Sequence, residues 1–154
     1  QKVALPVHRT VKATAFFLFL ITIGQIILGT EVREQIDAIA SFMNNTGREL
    51  WVEKADFFKI HRSLTILVIS LTFALERRLV KQYAEKSPAI RAINYSFAFL
   101  GAQAVLGISL AYFALPPVAQ ALHLVFASLL FGAQFYVVLA LGKSTRKEEE
   151  ASHA

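Results

Sequence analysis

The chain has 154 residues, 55% of them hydrophobic, and a mean hydropathy of +0.50, a balance that points to a membrane protein rather than a water-soluble domain. It has no cysteine, which excludes disulfides, thiolate metal sites and cysteine nucleophiles. The net charge of +5 is a topology signal, and no nucleic-acid function is read into it.

The first residue is Gln1, so the chain reads as processed, cut or part of a longer polypeptide. Its first apolar run, 11–30 (VKATAFFLFLITIGQIILGT), has no small-residue cleavage pattern and reads as a span rather than a signal peptide. A span takes about 20 apolar residues at about 1.5 Å each. An outer loop follows at 31–56, with a short amphipathic surface helix expected from Asp37 to Met43. Trp51, Phe57 and Phe58 are expected to form part of an aromatic belt. The second span is 57–75, with a polar opening turn. The third, 92–115, and the fourth, 118–141, are joined only by the Pro116-Pro117 corner. From Lys143 the tail, 143–154, is charged and expected to be disordered and cytoplasmic. The predicted fold is thus all-α, an integral membrane four-helix up-down bundle over residues 1–142.

Charge orients it. One side of the membrane carries eleven of the sixteen cations: Lys2, Arg9, Lys12, Arg77, Arg78, Lys81, Lys86, Arg91, Lys143, Arg146 and Lys147. The other side carries Arg33, Arg48, Lys54, Lys59 and Arg62, with six of the eleven acids. The positive-inside rule then puts both termini in the cytoplasm.

A weak duplication runs through the chain. Gln25-Ile-Ile-Leu-Gly29 in the first span matches Gln103-Ala-Val-Leu-Gly107 in the third, and each is followed by an outer connection and a histidine, His61 or His123. Both histidines fall near the start of their spans. Those two spans run in the same direction and should lie diagonally across an up-down bundle, which puts the imidazoles at one depth. Two such rings can hold one flat object, and a porphyrin iron with two axial histidines fits. Gly29 and Gly107 would let backbone come close to a macrocycle, and Thr65 and Ala127 keep the same face small. Arg33, Arg48 and Arg62 are the outer-side arginines able to meet haem propionates.

Plainer readings stand beside this one. Gln25 and Gln103 are candidate cofactor contacts, with interhelical hydrogen bonding as their plainer reading, and the histidines could be polar contacts between helices. Zinc would need further ligands, which Glu31, Glu34 or Asp56 could supply. His8 and His153 read as solvated. No phosphate-binding loop, dinucleotide fingerprint, nucleophile elbow or HExxH motif occurs.

The stretches GQIILGTEVREQID (24–37), KIHRSLTILV (59–68) and ALHLVFASLLFGAQFYV (121–137) resemble haem A synthase, in particular its C-terminal four-helix half. The resemblance implies eight transmembrane helices in two pseudo-symmetric halves, each with a histidine pair. One half takes haem O and oxidises a methyl group to the formyl group of haem A. The other holds a permanent haem b by two histidines, for electron transfer. Carried onto this sequence, the iron ligands are His61 and His123, and Glu31 is a weak candidate for a catalytic carboxylate. This chain is about half the family's usual length. The missing half would lie on another polypeptide, or the chain would form a homo-oligomer. The outer-loop cysteine pair of many relatives is absent. The reading is therefore a haem b membrane protein of the haem A synthase type, acting in haem A biosynthesis for cytochrome oxidase. It would reside in the inner membrane of a bacterium, with lipid and respiratory-chain proteins as expected partners. The alternative is a non-enzymatic transmembrane b-type cytochrome that passes electrons as a subunit of a respiratory assembly. A third reading is a haem-free scaffold whose histidines only pack.

Overall fold

In the computed structural model, residues 9–47, 50–83 and 87–152 are described, with backbone alone over 144–152. Apolar residues without an internal proline give one unbroken helix, α1, from Arg9 to Phe42. At about 1.5 Å per residue it is about 50 Å long, well beyond a hydrocarbon core of about 30 Å. The expected loop at 31–56 and the separate surface helix at Asp37–Met43 are therefore corrected. Val32, Ile36 and Ala40 recur every four residues and are all buried, so the helical period continues past the span. Arg33 and Asp37 pair at 2.9 Å on the adjoining, exposed face.

Asn44 and Asn45 then turn the chain with positive φ, which asparagine tolerates, and Gly47 adds a third such residue. A single turn, α2 (Trp51–Lys54), leads into α3 (Asp56–Gln82). Trp51 is buried and donates its indole N–H to the Thr46 carbonyl at 2.9 Å. It pins the connection instead of facing lipid in a belt. Ala55 gives α3 no side-chain cap; the amide oxygen of Gln35 on α1 accepts the Phe57 N–H at 3.1 Å in its place.

α4 (Pro88–Tyr112) opens with a proline at N1, and the Ser87 hydroxyl accepts the Ile90 N–H. α5 runs from Pro117 to Ser152, so the tail from Lys143 that reads as disordered is helical through Ser152. Between α4 and α5, Ala114 and Leu115 both take positive φ, a costly conformation for residues with a Cβ. The Gln120 side-chain amide donates to the Leu115 carbonyl at 2.7 Å, and Leu115 is buried, so packing holds the corner.

Four helices are long and apolar enough to cross a membrane: α1, α3, α4 and α5 through Lys143. α1 packs on α3 and α5, and α4 packs on the same two, so α3 and α5 face each other across the diagonal. The buried apolar residues form two separate clusters. One, with Leu18, Leu75, Ile93 and Leu141, fills the end nearer the chain termini. The other, with Val32, Ile36, Trp51 and Leu115, closes the opposite end.

Thr72, Ser96 and Gln134 are buried polar residues within the first cluster's half. The two hydroxyls donate to carbonyls one turn back, Thr72 to Val68 at 2.7 Å and Ser96 to Ala92 at 3.0 Å. Gln134 has no such outlet, and neither end of its amide finds a partner among the described residues. Gln134→Met, of similar shape and without the amide, is expected to raise stability by about 1 kcal/mol. Unfolding in mixed detergent measures this; a drop would mean that the amide is satisfied and structural.

Candidate functional site

Between the two apolar clusters lies a level at which no apolar side chain is fully buried. No apolar residue is fully buried on α1 between Leu18 and Val32, or on α3 between Ala55 and Val68. The same holds on α4 between Leu100 and Leu115, and on α5 between Ala119 and Leu130. The gap measures about three to four helical turns on every helix. Both histidines, both glycines and both glutamines of the duplication lie in it.

His61 is the sixth residue of α3 and His123 the seventh of α5. The difference is about 1.5 Å of rise, so the rings sit at nearly one depth on co-directional, diagonal helices.

Each histidine stands on a matching station. A Cβ at Gly29 would lie 3.3 Å from His61 Cε1, and one at Gly107 would lie 3.7 Å from His123 Cε1. Gly29 therefore admits the His61 ring closely against the neighbouring helix, whereas a methyl at Gly107 would make only an ordinary contact with the His123 ring. Gln25 donates to the His61 carbonyl at 2.9 Å, and Gln103 donates to the His123 carbonyl. The glutamines thus bond the helix backbone at each histidine, as the interhelical reading expects, and bind α1 to α3 and α4 to α5.

The first station has an added member. Gln25 Nε2 lies 2.6 Å from Thr65 Oγ1, 2.9 Å from the His61 carbonyl and 3.4 Å from His61 Nε2. An amide nitrogen carries two hydrogens. The two shorter contacts take them, which leaves the His61 Nε2 lone pair uncommitted. Thr65 in turn donates to the His61 carbonyl at 3.0 Å. The sequence marks Thr65 only as a small residue; its spacing of four from His61 is the signal for this back-bond.

Nδ1 of both histidines is buried with no hydrogen-bond partner, as is Gln25 Oε1. Buried polar atoms are seldom left unmade. Two half-buried imidazoles with uncommitted nitrogens, on diagonal helices at a level without a fully buried apolar residue, fit a flat metal-bearing macrocycle between them. Zinc fits poorly: no group of three or more histidine, aspartate or glutamate side chains gathers among the described residues, so Glu31, Glu34 and Asp56 do not join the histidines.

The arginines differ in position. Arg33 on α1 donates to the amide oxygen of Gln120 on α5, one turn before His123, while also pairing with Asp37. It spans the outer mouth of the site. Arg62 is exposed and stacks over the Phe58 ring at 5.9 Å, on a different face of α3 from His61. Glu31 is exposed on α1, two residues beyond Gly29. Arg48, His8 and His153 lie outside the described residues.

Neither a curated protein nor a solved structure matches the chain. The family model described as cytochrome oxidase assembly protein, COX15-CtaA, matches residues 1–135. A match over nearly the whole bundle, joined to four spanning helices, makes this chain a multi-pass membrane member of the COX15-CtaA family, whose work is haem A synthesis for cytochrome oxidase assembly.

Proposed function

We propose that the chain holds haem b between His61 and His123 and takes part in oxidising the haem O methyl group to the formyl group of haem A. The observation that carries this reading is the pair of stations: each histidine lies against a glycine, with a glutamine on its carbonyl, at one depth across the bundle. Bound haem b supplies one-electron redox chemistry within the membrane.

The chain's own residues do the rest. Gln25 and Gln103 fix the two helices in height, so that each imidazole meets the same plane. Gly29 leaves room for the His61 ring against α1, and Gly107 borders the His123 ring on α4. Arg33, which bridges α1 and α5 at the mouth, is the cation best situated for a propionate, and Arg62 serves the opposite edge only after leaving Phe58. Glu31, beside the same mouth, is the candidate carboxylate for proton handling.

A chain with one histidine pair needs a second for the substrate haem. A second four-helix half, or a second copy of this chain, supplies it in this reading, with respiratory-chain proteins as further partners. The cation-rich ends of the helices support cytoplasmic termini and residence in a bacterial inner membrane.

Purified protein is expected to show a low-spin Soret spectrum and a haem b pyridine haemochrome. A preparation that binds no haem on expression with ample haem supply rejects the proposal. Expression in a host that makes haem O but no haem A separates the two activities. Appearance of haem A supports the enzyme, and a haem-loaded protein that leaves haem O unchanged supports an electron-passing cytochrome.

A further inference from the structure

Outside the histidine level, α4 and α5 part to leave an open groove of about 580 Å³. Its walls include Arg91, Tyr95, Phe99, Ser128, Gly132 and Tyr136. Measured along the helices from Gly107 and His123, Ser128 is five residues inward and Arg91 sixteen. The groove therefore starts about 8 Å below the histidine level and ends about 24 Å below it. That length suits an acyl chain lying against the bundle, and the far end falls at the membrane surface nearer the chain termini.

The chemistry changes along it. The upper part is apolar, floored by Gly132 and walled by Phe99, whose ring stacks on Tyr95 with centroids 6.2 Å apart. A Cβ at Gly132 would meet nothing within 4 Å, so the floor is open space rather than helix contact. The lower part gathers the exposed cation Arg91 and two tyrosines, which favour the interface between apolar and wet layers. Arg91 also lies in the first turn of α4, where the helix end adds positive potential. The Arg33–Asp37 ion pair is at the other end of the bundle.

We infer that this groove binds an anionic phospholipid of the leaflet nearer the termini. The headgroup phosphate lies on Arg91, Tyr95 and Tyr136 flank it, and one acyl chain runs past Gly132 toward Ser128. Basic sites between transmembrane helices are where acidic lipids are retained. The inference is independent of haem, since the groove faces lipid and not the histidines.

Native mass spectrometry of the detergent-purified protein, titrated with phosphatidylglycerol or phosphatidylcholine of equal chain length, tests it. The protein is expected to retain phosphatidylglycerol preferentially. Arg91→Ala should weaken that retention about fivefold, and Arg91→Lys should restore most of it. Gly132→Leu fills the open floor and should reduce retention of both lipids while haem content is unchanged. Equal retention of the two lipids by the wild type overturns the inference, as does an Arg91→Ala variant that behaves like wild type. Since the chain has no cysteine, Gly132→Cys carries a single thiol. Efficient disulfide dimerisation through it in native membranes would assign the groove to a second copy of the chain and also overturn the inference.

Discussion

Alanine at His61 or at His123 is expected to abolish the low-spin haem spectrum, and each change alone should suffice. Six-coordinate iron needs both rings, and no cysteine or methionine lies on the site's helical stretches to replace one. Loss of an outer-shell partner costs a metal site roughly 10–100-fold in affinity, so loss of a ligand should cost more. Either variant should purify as a folded bundle with little haem, because neither ring belongs to the two buried apolar clusters. His8→Ala and His153→Ala serve as controls and should match the wild type. A methionine at position 123 adds a graded test. Methionine–histidine ligation raises the potential of a haem, so His123→Met should keep six-coordinate iron at a more positive potential. Optical spectra and redox titration read all of these. An unchanged low-spin spectrum in either alanine variant would remove that residue as a ligand.

The two glycines should respond unequally, although they occupy equivalent places in the duplication. A methyl at Gly29 would lie 3.3 Å from the His61 ring, which must then shift by a few tenths of an ångström. The same methyl at Gly107 would lie 3.7 Å from the His123 ring, an ordinary contact. Replacing glycine by alanine inside a helix also favours folding by about 1 kcal/mol. At Gly107 that gain is nearly unopposed, so Gly107→Ala should bind haem within about twofold of wild type and unfold slightly later. At Gly29 overpacking of about 1–3 kcal/mol opposes it, and the strain falls on the proposed ligand. Gly29→Ala is expected to lower haem affinity roughly tenfold with a perturbed spectrum, and Gly29→Val to abolish binding. Haem content and unfolding midpoint, measured on the same preparations, separate a damaged site from a damaged fold. Equal responses at the two positions would contradict the geometry.

Much of the fold was legible because a membrane leaves few choices. Backbone groups in hydrocarbon must bond within their own helix, so four long apolar runs could only be four helices. The duplication added the pairing, since Gln-x-x-Leu-Gly followed by histidine occurs twice in the same order. The spans' directions followed from their number. What misled was polarity at the outer end. Glu31, Arg33, Glu34 and Asp37 look like a loop, yet Val32, Ile36 and Ala40 continue the helical stripe beneath them. Periodicity there carried more information than composition. Trp51 misled in a similar way, because an interfacial tryptophan and one buried under a turn read alike in sequence.

The sequence by itself determined the helices, the paired histidines and the residue types around them, because these depend on local pattern and repeat. Only the tertiary structure decided what each residue touches: that Arg33 reaches across to Gln120 while Arg62 lies on Phe58, and that Thr65 joins Gln25 at the His61 carbonyl. It alone showed that the core is divided into two clusters with the histidine level between them. The reason is geometric. A helix's pattern fixes which side chains share a face. Which neighbour that face meets, and at what height, depends on the connections, and the αL corner at Ala114–Leu115 and the Gln35 bond to the Phe57 N–H are set by packing between helices.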